Sequence, residues 1–184
     1  MSPFLPRVRA LGFVVLLLAP AGCGWFAAGV AGTIYAGGDH GPTGTDLALL
    51  RQQSAPYGQP GTARIQGQIR LPVGGGLIVV PPATPVFLTP ATTWMQAQVR
   101  QQVVGADRLP KRVDAGEIWW VKNTDTGGRF SFSELPAGDY FVLCSVAWTT
   151  ASGKAETQVA WAQLTLAAGG DARLIVGRPG PGGA

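Results

Sequence analysis

Six tryptophans stand among 184 residues, and the chemistry that this chain's side chains could carry is that of recognition. Trp94, Trp119 (or its neighbour Trp120) and Trp161 carry indole faces able to stack on the apolar faces of sugar rings, although sandwich cores also bury such side chains routinely. Arg100, Arg108, Lys111 and Arg112 follow Trp94 closely in sequence. They form either a solvated basic loop or a positive patch for an anionic envelope polymer or lipid headgroup. Catalytic side chains are sparse. His40, the single histidine, sits between Asp39 and Gly41 in a Gly- and Pro-rich stretch and reads as a solvated loop residue. Cys144 falls on the apolar face of a strand pattern and reads as a small buried residue, not a reactive thiol. Asp125 and Glu134 occupy turn and strand-end positions, where structural carboxylates are ordinary. No group of His, Cys, Asp and Glu has metal-ligand spacing. The expectation is a non-enzyme with no cofactor, no metal and no catalytic residue.

The elements that must position these side chains are strands. Gly (27) and Pro (15) are abundant and charged residues make up 13%, the balance of an all-β domain with turns and long ends. In Asn123–Val142, the residues Asp125 to Gly128 tolerate positive φ and reverse the chain. Phe130 and Phe132 alternate with Arg129, Ser131 and Ser133, the period of a half-buried strand. Leu135-Pro-Ala-Gly138 breaks that strand, and Tyr140, Val142, Cys144, Val146 and Trp148 line one face of the next. Ile65, Gly67, Ile69 and Leu71 share a face of the opening strand. Leu77–Val80 is a brief apolar run, Pro85–Thr89 another strand, and Ile118–Val121 a further one that must turn one of Trp119 and Trp120 away from the core. Two last strands follow, with Leu164 and Leu166 inward, Val159 and Trp161 on the opposite face, and Ala172, Leu174 and Val176 aligned.

Between Pro90 and Glu117, Thr93-Trp-Met-Gln96 has capping-box spacing. Met95, Val99 and Val103 then fall at i, i+4 and i+8, and Gly105 offers a stop. This predicts a helix over about 94–104 whose apolar stripe packs on the sandwich edge.

The run Ile65-x-Gly67-x-Ile69, Pro85-Val86-x-Leu88, Thr124-Asp125-x-x-Gly128-x-Phe130-x-Phe132 and Leu135-Pro136-x-Gly138-x-Tyr140-x-Val142 resembles the carboxypeptidase regulatory-like domains, which belong with the transthyretin-like sandwiches. The resemblance spans Ala63 to about Gly177. It implies a seven-strand Greek-key β-sandwich of the prealbumin/Ig-like kind, a non-catalytic accessory or binding role, and no catalytic residues to transfer. The segment 90–117, with its helix at about 93–105, is an insert relative to that pattern.

At the N-terminus, Arg7 and Arg9 precede the apolar run Leu11–Leu18, and Ala21-Gly22-Cys23 follows. This segment resembles a bacterial lipoprotein signal, with Pro20 where that family carries Leu. The resemblance implies a signal peptide over 1–22, diacylglycerol on the Cys23 thiol, and an acylated Cys23 amine. Two alternatives remain open: an ordinary signal peptide that leaves Cys23 free, and one uncleaved span over Leu11–Ala36. Gly24 after the cysteine implies an outer-membrane address facing the periplasm if the cell is Gram-negative. Residues 23–62 read as a lipidated tether, 63–178 as the folded domain and 179–184 as a Gly-Pro tail. Losing Arg7 and Arg9 leaves 12 basic against 10 acidic side chains, which is no nucleic-acid footprint.

Two functions follow. In one, the domain is an interaction or structural accessory module meeting an envelope protein through the insert. In the other, it binds a glycan or small ligand on exposed tryptophans. Cys23→Ser is expected to leave the domain folded and release the protein from membranes. Retention in washed membranes would favour the uncleaved span.

Overall fold

Among the described residues, alternating apolar and polar side chains build eight strands in two four-stranded sheets. The structure is a computed structural model that describes residues 44–73, 76–112 and 116–177. The signal segment, Cys23, His40 and the tail lie outside the described residues. In the first sheet β1 (Ala63–Val73) is central. It pairs antiparallel with β5 (Arg129–Leu135), parallel with β8 (Asp171–Val176), and through a hairpin with β2 (Gly76–Val79). The second sheet runs β4 (Trp120–Asn123), β3 (Pro85–Pro90), β6 (Gly138–Thr149), β7 (Ala155–Leu166), antiparallel throughout. The count is eight rather than the seven that the resemblance implied. The additional pair arises because β1 continues past its partners β5 and β8 and reverses into β2.

Between the sheets, Ile65, Ile69, Leu71, Phe130, Phe132 and Val176 pack against Val86, Leu88, Tyr140, Val142, Cys144 and Val146. Each such side chain, fully buried, contributes about 1.5–3 kcal/mol. Gly67 lies directly over the Phe130 ring, and a Cβ there would stand 2.3 Å from it. Glycine therefore lets an aromatic ring seat under β1. The register irregularity between these strands falls at Ala63/Ile65 instead.

β6 departs from simple alternation, with Tyr140 through Cys144 all buried. Phe141 and Leu143 point out of the sandwich, into a second apolar cluster with Val159 and with Met95, Val99 and Val103 of the insert. The insert thus covers the outer face of the second sheet instead of its edge. An outward face carrying Phe87, Phe141, Leu143, Val159 and Trp161 needs a cover, and the helical stripe supplies it.

The insert begins as α2 (Thr93–Gln98) and continues as π-helical turns over Val99–Val104. Its N-cap is Thr92, whose hydroxyl accepts from the Met95 N–H at 3.2 Å, one residue before the expected Thr93. Thr93 is engaged elsewhere: its N–H donates to the Gln53 side-chain Oε1 at 2.8 Å, and its hydroxyl accepts from Gln53 Nε2 at 2.9 Å. The stop also differs from the expected Gly105, which keeps right-handed helical geometry. Asp107 takes the left-handed conformation (φ 52°), and Arg108 N–H closes back on the Gln102 carbonyl. The Asp107 carboxylate accepts the Val159 N–H of β7 at 2.8 Å, tying the helix end to the sheet.

Ordered structure also starts earlier than the tether boundary at 62. A helix, α1 (Gly44–Ser54), leads into a 3-10 turn at Ala55–Gly58. Leu50 is buried within it. The Tyr57 ring stands edge-on to Tyr140 at 5.2 Å, and its hydroxyl accepts the Asp139 N–H at 3.2 Å. Tyr57 occupies the space a Gly138 side chain would need: a Cβ there would sit 2.5 Å from the hydroxyl, at φ 152°. Tyr140 is buried and its hydroxyl donates to the Pro136 carbonyl at 2.8 Å, the backbone partner expected for a buried tyrosine. Tyr140→Phe leaves that carbonyl without its donor and is expected to cost about 1–3 kcal/mol. Urea unfolding should show the midpoint falling with the slope unchanged.

Candidate binding face

The inward set of β1 fixes its outward set: Arg64, Gln66, Gln68 and Arg70. Register then assembles two rows across three strands. Ser131 of β5, Gln66 and Arg173 of β8 form one; Arg129, Gln68 and Ile175 form the next. Together they floor an open depression of about 320 Å³ lined by Gln66, Gln68, Arg129, Arg173, Ile175, Leu174 and the Gly67 backbone. No described helix packs over this face; α2 lies on the other sheet.

Some of its polar groups are fixed and others are unengaged. The Gln68 amide donates to the Gly127 carbonyl at 2.7 Å, and its oxygen accepts from Arg70 Nε at 3.0 Å. Among the described residues, the side chains of Gln66, Arg129 and Arg173 make no hydrogen bond or ion pair; the ion pair present there is Lys154–Glu156. Arg129 and Arg173 are exposed, Gln66 and Gln68 half-buried, and Ile175 is 63% exposed.

The adjoining turn is architectural. The Asp125 carboxylate accepts the Gly127 and Arg129 N–H groups, both at 2.8 Å. Those hydrogen bonds, chiefly the one from Arg129, hold its pKa below the ordinary aspartate value, with the Arg129 charge adding to them. Thr124 donates to the Pro81 carbonyl at 2.9 Å and accepts the Thr84 N–H at 3.1 Å, joining the β4–β5 turn to the loop before β3. The Thr-Asp motif is thus a hydrogen-bonded corner.

The residues singled out from sequence lie on the other side of the sandwich. Trp119 stands edge-on to Phe87 at 5.9 Å and donates its indole N–H to Glu117 Oε2 at 3.0 Å. Trp161 tilts against Phe141 at 6.3 Å. Both half-buried rings join the cluster under the insert. Trp120 packs on the main core, 5.9 Å from Tyr140. Trp94 is half-buried in the first turn of α2, while Arg100, Arg108, Lys111 and Arg112 are exposed. The structure gathers Trp119 and Trp161 around the insert and leaves the basic side chains in solvent. The outward residues Gln66, Gln68, Arg129 and Arg173 were not among the candidates. Their signal was the polar half of each alternating strand.

No family model matches the chain, and no curated protein does. Among solved structures it is similar to a proposed carbohydrate-binding protein from Pseudomonas aeruginosa, with a TM-score of 0.59 and 24% identity, over 69% of this chain and 95% of that one. A minor pilin of Streptococcus agalactiae aligns at a TM-score of 0.33 and 17% identity, over 67% of this chain and 48% of that one. Fold and likeness define an all-β sandwich.

Cys144 is fully buried on β6, and burial pushes its thiol up to about 12. A raised thiol pKa stabilises the folded state at low pH, and that contribution is lost as pH rises from about 9 towards 12. Cys144→Ala should therefore lose less stability than the parent between those limits. Thermal melts of both proteins at about pH 8 and about pH 10.5 would measure the difference.

Proposed function

We propose that this chain is a non-catalytic binding module of the cell envelope, held at the membrane by lipid on Cys23. Its ligand is a glycan lying on the outer face of the β5–β1–β8 sheet. The observation that carries this reading is the asymmetry of the two outer faces. One is apolar and sealed by the insert; the other carries the Gln66 amide and the Arg129 and Arg173 guanidinium groups, which make no hydrogen bond or ion pair among the described residues, beside a Gln68 amide fixed by its own hydrogen bonds. Sugar hydroxyls pair with such donors and acceptors, and the sheet presents them on a backbone that needs no ordering. The open shape of the depression, with Leu174 and Ile175 beside its Gln and Arg side chains, suits an extended amphipathic ligand better than an enclosed cofactor. The proposed carbohydrate-binding protein of similar fold is consistent with the reading. Relative to the tryptophan platform expected from sequence, the contact surface moves to the opposite sheet. Trp119 and Trp161 already spend ring area on the insert.

A second reading keeps an envelope protein as partner of the insert. Val104 is 60% exposed and stands one turn after the exposed Arg100, a mixed apolar and basic patch suited to a protein contact. In either case the anchor places the domain on the outer membrane, facing the periplasm, if the cell is Gram-negative.

The test is a glycan array followed by titration of the best ligand. Gln66→Ala with Gln68→Ala is expected to weaken binding about tenfold, the equivalent of about 1.4 kcal/mol, with unchanged thermal stability for Gln66→Ala alone and a small loss when Gln68 and its hydrogen bonds go too. Equal loss from Trp119→Ala and none from the glutamine pair would move the site back to the insert side.

A further inference from the structure

Resting on that reading, we infer that the ligand of the open face is an acidic saccharide, its carboxylates held by Arg129 and Arg173 on either side of the β1 glutamines. The first reason is what the face lacks. The exposed positions described on β1, β5 and β8 are Arg, Ser, Glu, Asp, Pro and Ile, beside the half-buried Gln66 and Gln68, with no aromatic ring. Neutral sugars lose their usual stacking surface there, so charge and hydrogen bonding must supply the affinity.

The second reason is charge. Arg64, Arg70, Arg129 and Arg173 are exposed on these strands or at their ends. Asp171 stands opposite Arg64 in the parallel register, and exposed Glu134 lies at the same end of the sheet on β5, so both carboxylates gather at Arg64 and away from Arg173. Asp125 lies beside Arg129 and offsets part of its charge, which leaves Arg173 the less compensated of the pair. Arg173 has no ion-pair partner among the described residues. A guanidinium group offers a planar pair of donors that fits a carboxylate bidentately.

The third reason is spacing. Arg129 and Arg173 sit on strands flanking β1 and one row apart, so their backbones are separated by about 12 Å. That separation suits carboxylates repeated along a polymer more than one small ion. The same face is poorly suited to single-stranded nucleic acid, which needs rings for base stacking. A bilayer would need more apolar surface than Ile175 provides.

The experiment uses the full chain in detergent, titrated with an oligouronate and with the same oligomer methyl-esterified. The acidic form is expected to bind at least about tenfold tighter and to weaken as salt rises. Arg173→Gln and Arg129→Gln should each remove most of that preference, while Arg108→Gln, in the insert, should not. Equal affinity for acidic and neutral oligomers overturns the acidic inference and leaves the glycan reading standing. Binding of neither oligomer, nor of any array glycan, by protein with an unchanged melt overturns the glycan reading itself. Equal affinity for an oligonucleotide or an anionic vesicle overturns the inference by showing a general anion surface.

Discussion

Burial of β6 on both faces is the constraint on which the structure depends. Tyr140, Val142 and Cys144 fill the sandwich while Phe141 and Leu143 face outward. A strand with that composition cannot stand at the surface of a two-layer fold, because its outer residues would remain in water. The insert is therefore a third layer demanded by the sheet. Its fastenings follow: Thr92 at the start, Gln53 reaching across from α1, and the Asp107 carboxylate taking a β7 amide.

That third layer makes the two ends of the sandwich's thickness chemically unlike. One outer surface is consumed by internal packing. The other remains a three-strand polar field whose side chains are fixed by register more than by one another. Gly67 contributes from beneath, since the Phe130 ring seated against it keeps β1 and β5 as one flat support.

Much of this was legible in the residues. Phe130 and Phe132, the Tyr140–Trp148 face and the Ile65–Leu71 face were readable because alternation is a local signal. The insert's stripe was equally local. The cap shifted by one residue because Gln53, distant in sequence, claims Thr93. α1 was hidden because its short apolar run Leu47–Leu50 stops at Arg51-Gln-Gln-Ser54, and its anchors Leu50 and Tyr57 are held by partners distant in sequence, such as Tyr140. The open face was invisible for a different reason. Polar residues alternate on every strand, and which of them become neighbours depends on β8 returning to lie parallel to β1. Nothing local encodes that pairing.

The parallel return also sets an order of events. β1 is made near the start of the domain and β8 near its close, so their contact has the longest sequence separation in the fold. Contacts of that kind form late, because the loop they close must first be ordered. Until β8 docks, one edge of β1 offers free backbone groups to any passing strand. Arg173 arrives with that docking. Assembly of the arginine pair and the covering of that edge of β1 are thus a single late step, so a chain caught before it lacks the pair and is prone to self-association.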